Sequence, residues 1–208
     1  MLDKYRDSFD GILSFFGGKI GVKPDILTWL SLLFAGAAGF LLYFSYSYHS
    51  LLIWSSLLVG GNGFFDALDG KVARLRNTAS LQGDFLDHVL DRYSDIFIVG
   101  GIVLSGWCDT RIGLVALVGV LLTSYLGTQA QAVGLKRKYE GFLTRADRLT
   151  LLIIAPLIQF VLLFLDIPHP LNHSFLEWVM IYFAIMGNAT AVQRFFFISR
   201  ALKHGGEK

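Results

Sequence analysis

Residues 66–91 read DALDGKVARLRNTASLQGDFLDHVLD; within them Asp66-x-x-Asp69-Gly70-x-x-Ala73-Arg74 is followed, after a gap of eight residues, by Gly83-x-x-x-Asp87-x-x-x-Asp91. Apolar runs lie on both sides, LLIWSSLLVGGNGFF before the segment and IFIVGGIVL shortly after it. The four carboxylates are therefore carried on helices built for a membrane, where a charge near the bilayer centre costs about 2.5–3.5 kcal/mol on insertion scales. Something must offset that cost. Divalent cations are the most economical candidate, because hard ions take carboxylate oxygens and keep positions open for a substrate phosphate.

Composition outward from this segment agrees. The chain has 208 residues, 54% of them hydrophobic and 16% charged. A hydrocarbon core needs about 20 apolar residues per helix, and blocks of that length stand at 25–46, 49–73, 83–107, 111–134, 146–166 and 174–199. The pattern predicts an all-α integral membrane protein with one domain over 1–208, in which an amphipathic interfacial helix at 1–20 precedes a six-helix bundle at 25–199. With the amino terminus cytoplasmic, the inner segments carry Lys4, Arg6, Lys19, Lys23, Lys71, Arg74, Arg76, Lys136, Arg137, Lys138, Arg145, Arg148, Arg194, Arg200, Lys203 and Lys208. These are 16 of the 18 basic residues; Arg111 falls outside and Arg92 within a helix. That bias follows the positive-inside rule, and it predicts a multi-pass cell-membrane protein with both termini and the carboxylates facing the cytoplasm. The net charge of +2 hides a basic inner face suited to anionic headgroups or phosphorylated substrates, and nothing in the pattern points to nucleic acid.

At the amino end Leu2, Tyr5, Phe9, Ile12, Leu13 and Phe16 recur at helical spacing, with Asp3, Lys4, Arg6, Asp7 and Asp10 on the other face. Such a helix lies in the membrane interface or packs on the protein's own inner face. Its early acidic residues argue against a secretory signal. Pro24 suits the first turn of the first span. The lone Cys108 has no partner for an intrachain disulfide.

Asp66 and Asp69 stand three apart at the inner end of the second span, and Asp87 and Asp91 four apart at the inner start of the third, so each pair shares a helix face. Packing these spans as an antiparallel hairpin would bring all four acids to one depth. Gly70, Ala73 and Gly83 remove bulk around them, permitting close helix approach and leaving room for a flat or extended ligand. Arg74, nearer the cytoplasm, offers a phosphate a forked pair of donors. A purely structural alternative has the aspartates capping helix ends or pairing with Lys71, Arg74, Arg76 and Arg92, but four acids against few close bases is a poor solution in a membrane. Eight fixed positions of residue types used at roughly 5–8% each match by chance with a probability on the order of 10⁻¹⁰.

The motif resembles the signature of the CDP-alcohol phosphatidyltransferase family of integral-membrane enzymes, and all eight of its positions match. Lys23-Pro24-Asp25-Ile26-Leu27-Thr28 is similar to that family's entry to its first helix. The resemblance implies two divalent ions, Mg²⁺ or Mn²⁺, held by Asp66, Asp69 and Asp87, with Asp91 as a further ligand and the general base. It implies that Gly70, Ala73, Arg74 and Gly83 line the site for the CDP part of a CDP-linked lipid donor, and that the protein is a homodimer. A polar alcohol or sugar-phosphate acceptor would attack, and CMP would leave.

The residues suit that chemistry by themselves. A diphosphate-linked donor needs its charge neutralised before a hydroxyl attacks phosphorus, and a carboxylate such as Asp91 can take the hydroxyl's proton. Basic residues Lys136, Arg137, Lys138, Arg145 and Arg148 cluster between spans four and five, and Arg194 returns near the inner end of span six; Arg145, Arg148 and Arg194 are candidates for an acceptor phosphate. Thr144-Arg145-Ala146-Asp147-Arg148-Leu149 is similar to the corresponding stretch in the branch that uses inositol 1-phosphate. Gly127 stands where that branch commonly has a basic residue, so glycerol phosphate stays open as an acceptor. A cation transporter would also place aspartates within helices, but near the midplane on broken or repeated helices. Other polar residues carry smaller expectations: Asp95 a structural ion pair, with Arg92 in reach; Asn62 a bond to Asp66 or across helices; His88 a ring pointing off the Asp87 face.

Overall fold

The computed structural model describes residues 11, 13–15, 17, 21–135, 141 and 143–203. Among these, six long helices follow in order: α1 (Pro24–Phe44), α2 (Leu51–Leu75), α3 (Leu81–Leu104), α4 (Thr110–Ala132), α5 (Arg145–Phe164) and α6 (Phe175–Lys203), with a short 3₁₀ turn at Pro170–Asn172. Local chemistry sets the boundaries. Pro24 opens α1 in the first helical turn, where its missing N–H costs nothing. Ser80 caps α3 by accepting from Gly83 N at 3.0 Å, and Thr144 with Asp147 forms a capping box on α5. After α2, Asn77 takes φ 54° and Thr78 N donates to Ala73 O at 2.9 Å, a left-handed helix stop.

Five of the six helices, all but α3, are long and apolar enough to cross a membrane. The α3 sequence carries Asp84, Asp87, Asp91, Arg92 and Asp95, and those charges lower its apolar content below the level of its neighbours. Of the segment expected at 1–20, Gly11, Leu13, Ser14, Phe15 and Gly17 are described and helical. Leu13 is buried with Leu27, Leu68 and Val72, so this part lies against the bundle; the rest of 1–20 falls outside the described residues, as do Lys136, Arg137 and Lys138.

The helices form a ring of neighbours, α1 against α2, α2 against α5, α5 against α6, α6 against α4, α4 against α3, and α3 back against α1. The expected α2–α3 hairpin is not the packing seen, because these two helices barely touch. Small residues elsewhere decide the close approaches: a Cβ on Gly39 would collide with the Phe97 carbonyl, and one on Gly101 with Gly39, locking α1 to α3. On the far side, a Cβ on Gly119 would come within 2.9 Å of Asn188 N, and Thr123 Oγ1 donates to Gly187 O at 2.9 Å, joining α4 to α6. A core of Leu42, Leu52, Val59, Ile102, Met180 and Phe183 fills the middle of the ring.

Candidate active site

Between the facing ends of α2 and α3, where direct packing is slight, lies a cavity of about 380 Å³. Asp66, Asp69, Gly70, Ala73 and Arg74 line it from α2, Gly83, Asp84 and Asp87 from α3, and Pro24, Asp25 and Thr28 from α1. Gly70 and Gly83 do not bring helices together here. A Cβ on Gly70 would meet only Arg74 Nη1 at 3.7 Å, and one on Gly83 would meet Ser80 Oγ at 3.4 Å and Asp25 Oδ1 at 4.0 Å. Their missing side chains are floor space of the cavity. Arg74 is exposed and reaches back over Gly70 at its mouth.

Asp91 sits behind this wall, 5% exposed. Its Oδ2 accepts from Arg92 Nη1 at 3.0 Å and from Arg145 Nη1, while Arg145 Nη2 donates to Asp66 Oδ1 at 2.9 Å. A guanidinium from α5 thus joins an acid of α2 to an acid of α3, doing what direct α2–α3 packing does not. Asn62, one turn before Asp66, makes the interhelical bonds: its Nδ2 donates to Ser31 O at 3.1 Å, Ser31 Oγ at 2.8 Å and Ser94 Oγ at 3.4 Å.

The other arginines divide. Arg148 is buried, and its Nη atoms donate to Val120 O at 3.0 Å, Asp95 Oδ2 at 3.3 Å and Ser124 Oγ at 3.3 Å. Asp95 therefore pairs across to α5, whereas Arg92, its expected partner, turns to Asp91; on one helix face Asp91 offers the nearer carboxylate. Arg194 Nη1 donates to Thr123 O at 2.7 Å, and Arg194 lines a second cavity of about 330 Å³ with Gly127, Gln193 and Arg200. His88 does not point away from Asp87 as its place on the helix suggests. Its Nδ1 lies 3.4 Å from Asp87 Oδ2 and its Nε2 3.9 Å from Asp84 Oδ1. Sequence spacing also passed over Asp25, Thr28 and Asp84 as cavity residues; Asp84, three before Asp87, was recoverable from helical periodicity, while Asp25 depends on how α1 packs.

Does a divalent cation fit? Asp69 Oδ2 is buried with no hydrogen-bond partner, a state that costs a carboxylate oxygen about 1–3 kcal/mol or more, and carboxylates of Asp66, Asp69 and Asp87 face one cavity. Hard oxygen donors of that kind, with room beside them, suit Mg²⁺ or Mn²⁺.

An apolar helical bundle with an acid-walled, phosphate-sized cavity at one end is the architecture of a membrane-embedded, metal-dependent phosphotransferase. The model of the CDP-alcohol phosphatidyltransferase family matches residues 22–199, and the chain belongs to that family. It is 31% identical over 203 residues to the archaetidylinositol phosphate synthase of Methanothermobacter thermautotrophicus, covering 98% of this chain and 96% of that protein. The crystal structure of Mycobacterium tuberculosis phosphatidylinositol phosphate synthase with CDP-DAG bound matches with a TM-score of 0.71 and 28% identity, over 91% of this chain and 92% of that one. The same enzyme in complex with manganese and citrate matches with a TM-score of 0.70 and 26% identity, over 91% and 88%. The protein is thus an enzyme of phospholipid biosynthesis that uses a divalent metal, transferring a lipid phosphate group from a CDP-linked lipid to an alcohol with release of CMP.

Proposed function

We propose that the acceptor alcohol is inositol 1-phosphate and that transfer takes place at the Asp66–Asp91 cavity, on the cytoplasmic side of a six-span bundle. Two things support the acceptor: the names of the relatives above, and the presence of Arg145 directly beside the acids. The positive-inside pattern supports the orientation, and α3 counts as a sixth span because α1 and α4 cover it on two sides.

In this reading Asp66, Asp69, Asp87 and Asp91 hold two divalent ions, which neutralise the donor diphosphate when bound. Gly70, Ala73 and Gly83 give the cytidine diphosphate its floor, and exposed Arg74 donates to its phosphates at the mouth. Asp91 takes the proton of the attacking hydroxyl. The new oxygen–phosphorus bond forms as the bond between the two phosphates breaks, and CMP carries away the electron pair. Arg145 holds the acceptor's phosphate, exchanging its carboxylate partners for it, with Arg194, which lines the second cavity, as a further candidate donor. Arg148 keeps α5 fixed to α3 and α4. The same proposal includes a homodimer, as the family resemblance implies.

The single observation that carries this reading is the meeting of Asp66, Asp69 and Asp87 around one cavity with Asp91 tied to Asp66 through Arg145. The test is CMP release by purified protein supplied with Mg²⁺ or Mn²⁺, a CDP-linked lipid, and either inositol 1-phosphate, glycerol phosphate, serine or inositol. Inositol 1-phosphate should be turned over fastest. Faster release with glycerol phosphate, the acceptor that Gly127 leaves open, would reassign the substrate.

A further inference from the structure

Histidine is foreign to the eight-position motif, yet one stands inside it here. Nδ1 of His88 is 3.4 Å from Asp87 Oδ2, and single donor atoms of Asp87, His88 and Asp91 all lie within 4.8 Å of one another. Opposed ligands of an octahedral ion at 2.0–2.1 Å are about 4.2 Å apart, so this cluster is close to coordinating size. The other ring nitrogen, Nε2, is 3.9 Å from Asp84 Oδ1, one helical turn earlier. At 3.9 Å Nε2 is in ion-pair range of Asp84 and not hydrogen-bonded to it, whereas Nδ1 is within hydrogen-bond range of Asp87; an ion bound between Nδ1 and Asp87 Oδ2 would replace that contact and take the nitrogen's lone pair. With 21% of its side chain accessible, His88 is half-buried beside Asp87, which lines the cavity.

We propose that His88 is a nitrogen ligand of the divalent-cation site, beside Asp87 and Asp91, and that it biases this enzyme toward Mn²⁺ over Mg²⁺. Imidazole suits transition-metal ions, whereas Mg²⁺ favours hard oxygen donors and gives up its waters reluctantly. An all-aspartate site accepts both ions; exchanging one oxygen for a ring nitrogen weakens the claim of Mg²⁺ and not that of Mn²⁺. The inference rests on the aspartates being the metal site, and it can fail without that reading failing.

Electron spin echo spectroscopy of Mn²⁺ bound to the full-length protein in detergent separates the two. Wild-type protein should show modulation from a coordinated histidine nitrogen. The His88→Ser and His88→Asn variants should lose it, with Mn²⁺ affinity falling about tenfold and Mg²⁺ affinity staying within about twofold. Bound Mn²⁺ without nitrogen modulation in the wild type overturns the role of His88 and leaves the aspartate site standing. No Mn²⁺ binding by the wild type overturns both. Because the wild-type spectrum alone decides the ligand, a variant that fails to fold does not protect the proposal.

Discussion

Both ends of the bundle hold carboxylates among apolar helices, but they use them in opposite ways. At the end away from the cavity every acid in the cluster is satisfied. Glu177 takes Asp109 N on Oε1 at 2.9 Å and His173 Nδ1 on Oε2 at 2.9 Å, Ser174 Oγ donates to Trp107 O at 2.5 Å, Trp107 Nε1 donates to Ser45 Oγ at 2.9 Å, and Gln159 ties Pro168 O to Phe175 N. That network closes the ends of α1, α4, α5 and α6 on one another. At the cavity end, acids gather around open space and Asp69 Oδ2 is left without a partner. A completed polar network specifies structure, whereas an incomplete one beside a cavity is where a ligand finishes the bonding.

Substitutions at the two ends should therefore separate activity from stability. The largest effect is expected for Asp91→Asn, which removes the assigned base: CMP release per folded molecule should fall by about 10²–10⁴-fold, with some loss of thermal stability in detergent because Arg92 and Arg145 lose the charge they pair with. Activity surviving this substitution would break the contrast at its functional end. Next, Glu177→Ala should lower stability by about 1–3 kcal/mol by stranding the Asp109 amide and His173, read as an earlier thermal transition, while turnover per folded molecule stays at the wild-type level.

Two glycines sharpen the same contrast. Gly101→Ala forces a methyl group against the backbone of Gly39 and should cost about 1–3 kcal/mol. Gly70→Ala meets nothing closer than Arg74 Nη1 at 3.7 Å. Its unfolding should move by no more than about 0.5 kcal/mol, and its effect should fall on KM for the CDP-linked lipid.

Those two glycines also mark where the sequence is readable and where it is not. Helix positions follow from apolar block length: 83–107 was expected and Leu81–Leu104 is seen, 111–134 expected and Thr110–Ala132 seen. Convergence of Asp66, Asp69 and Asp87 on one place followed from their spacing at adjoining helix ends. The partner of each helix did not. A short connection between α2 and α3 suggests a packed hairpin, but Gly39 and Gly101 win the closest approach for α1 and α3, and the space left over becomes the site. Side-chain reach is equally invisible to spacing. His88 is a step of about 100° around the helix from Asp87, yet its ring swings back to it, and Arg145, Arg148 and Arg92 choose among Asp66, Asp91 and Asp95 by three-dimensional proximity alone.

The smallest effect concerns Cys108, at the satisfied end. Burial, with Glu177 and Asp109 adding negative charge nearby, pushes its thiol up to about 12, and its Sγ donates to Asp109 O at 3.2 Å. Only the thiolate is a good nucleophile, and at pH 8 a group titrating near 12 is ionised to about one part in 10⁴. Maleimide should therefore leave the folded protein unlabelled over an hour at that pH and modify it promptly once denatured. Glu177→Ala should raise the folded-state labelling rate, because it removes a neighbouring charge and loosens the contacts that exclude solvent. Equal labelling of wild type and variant would show that the closed network does not shield this thiol, and would weaken the distinction between a sealed end and an open one.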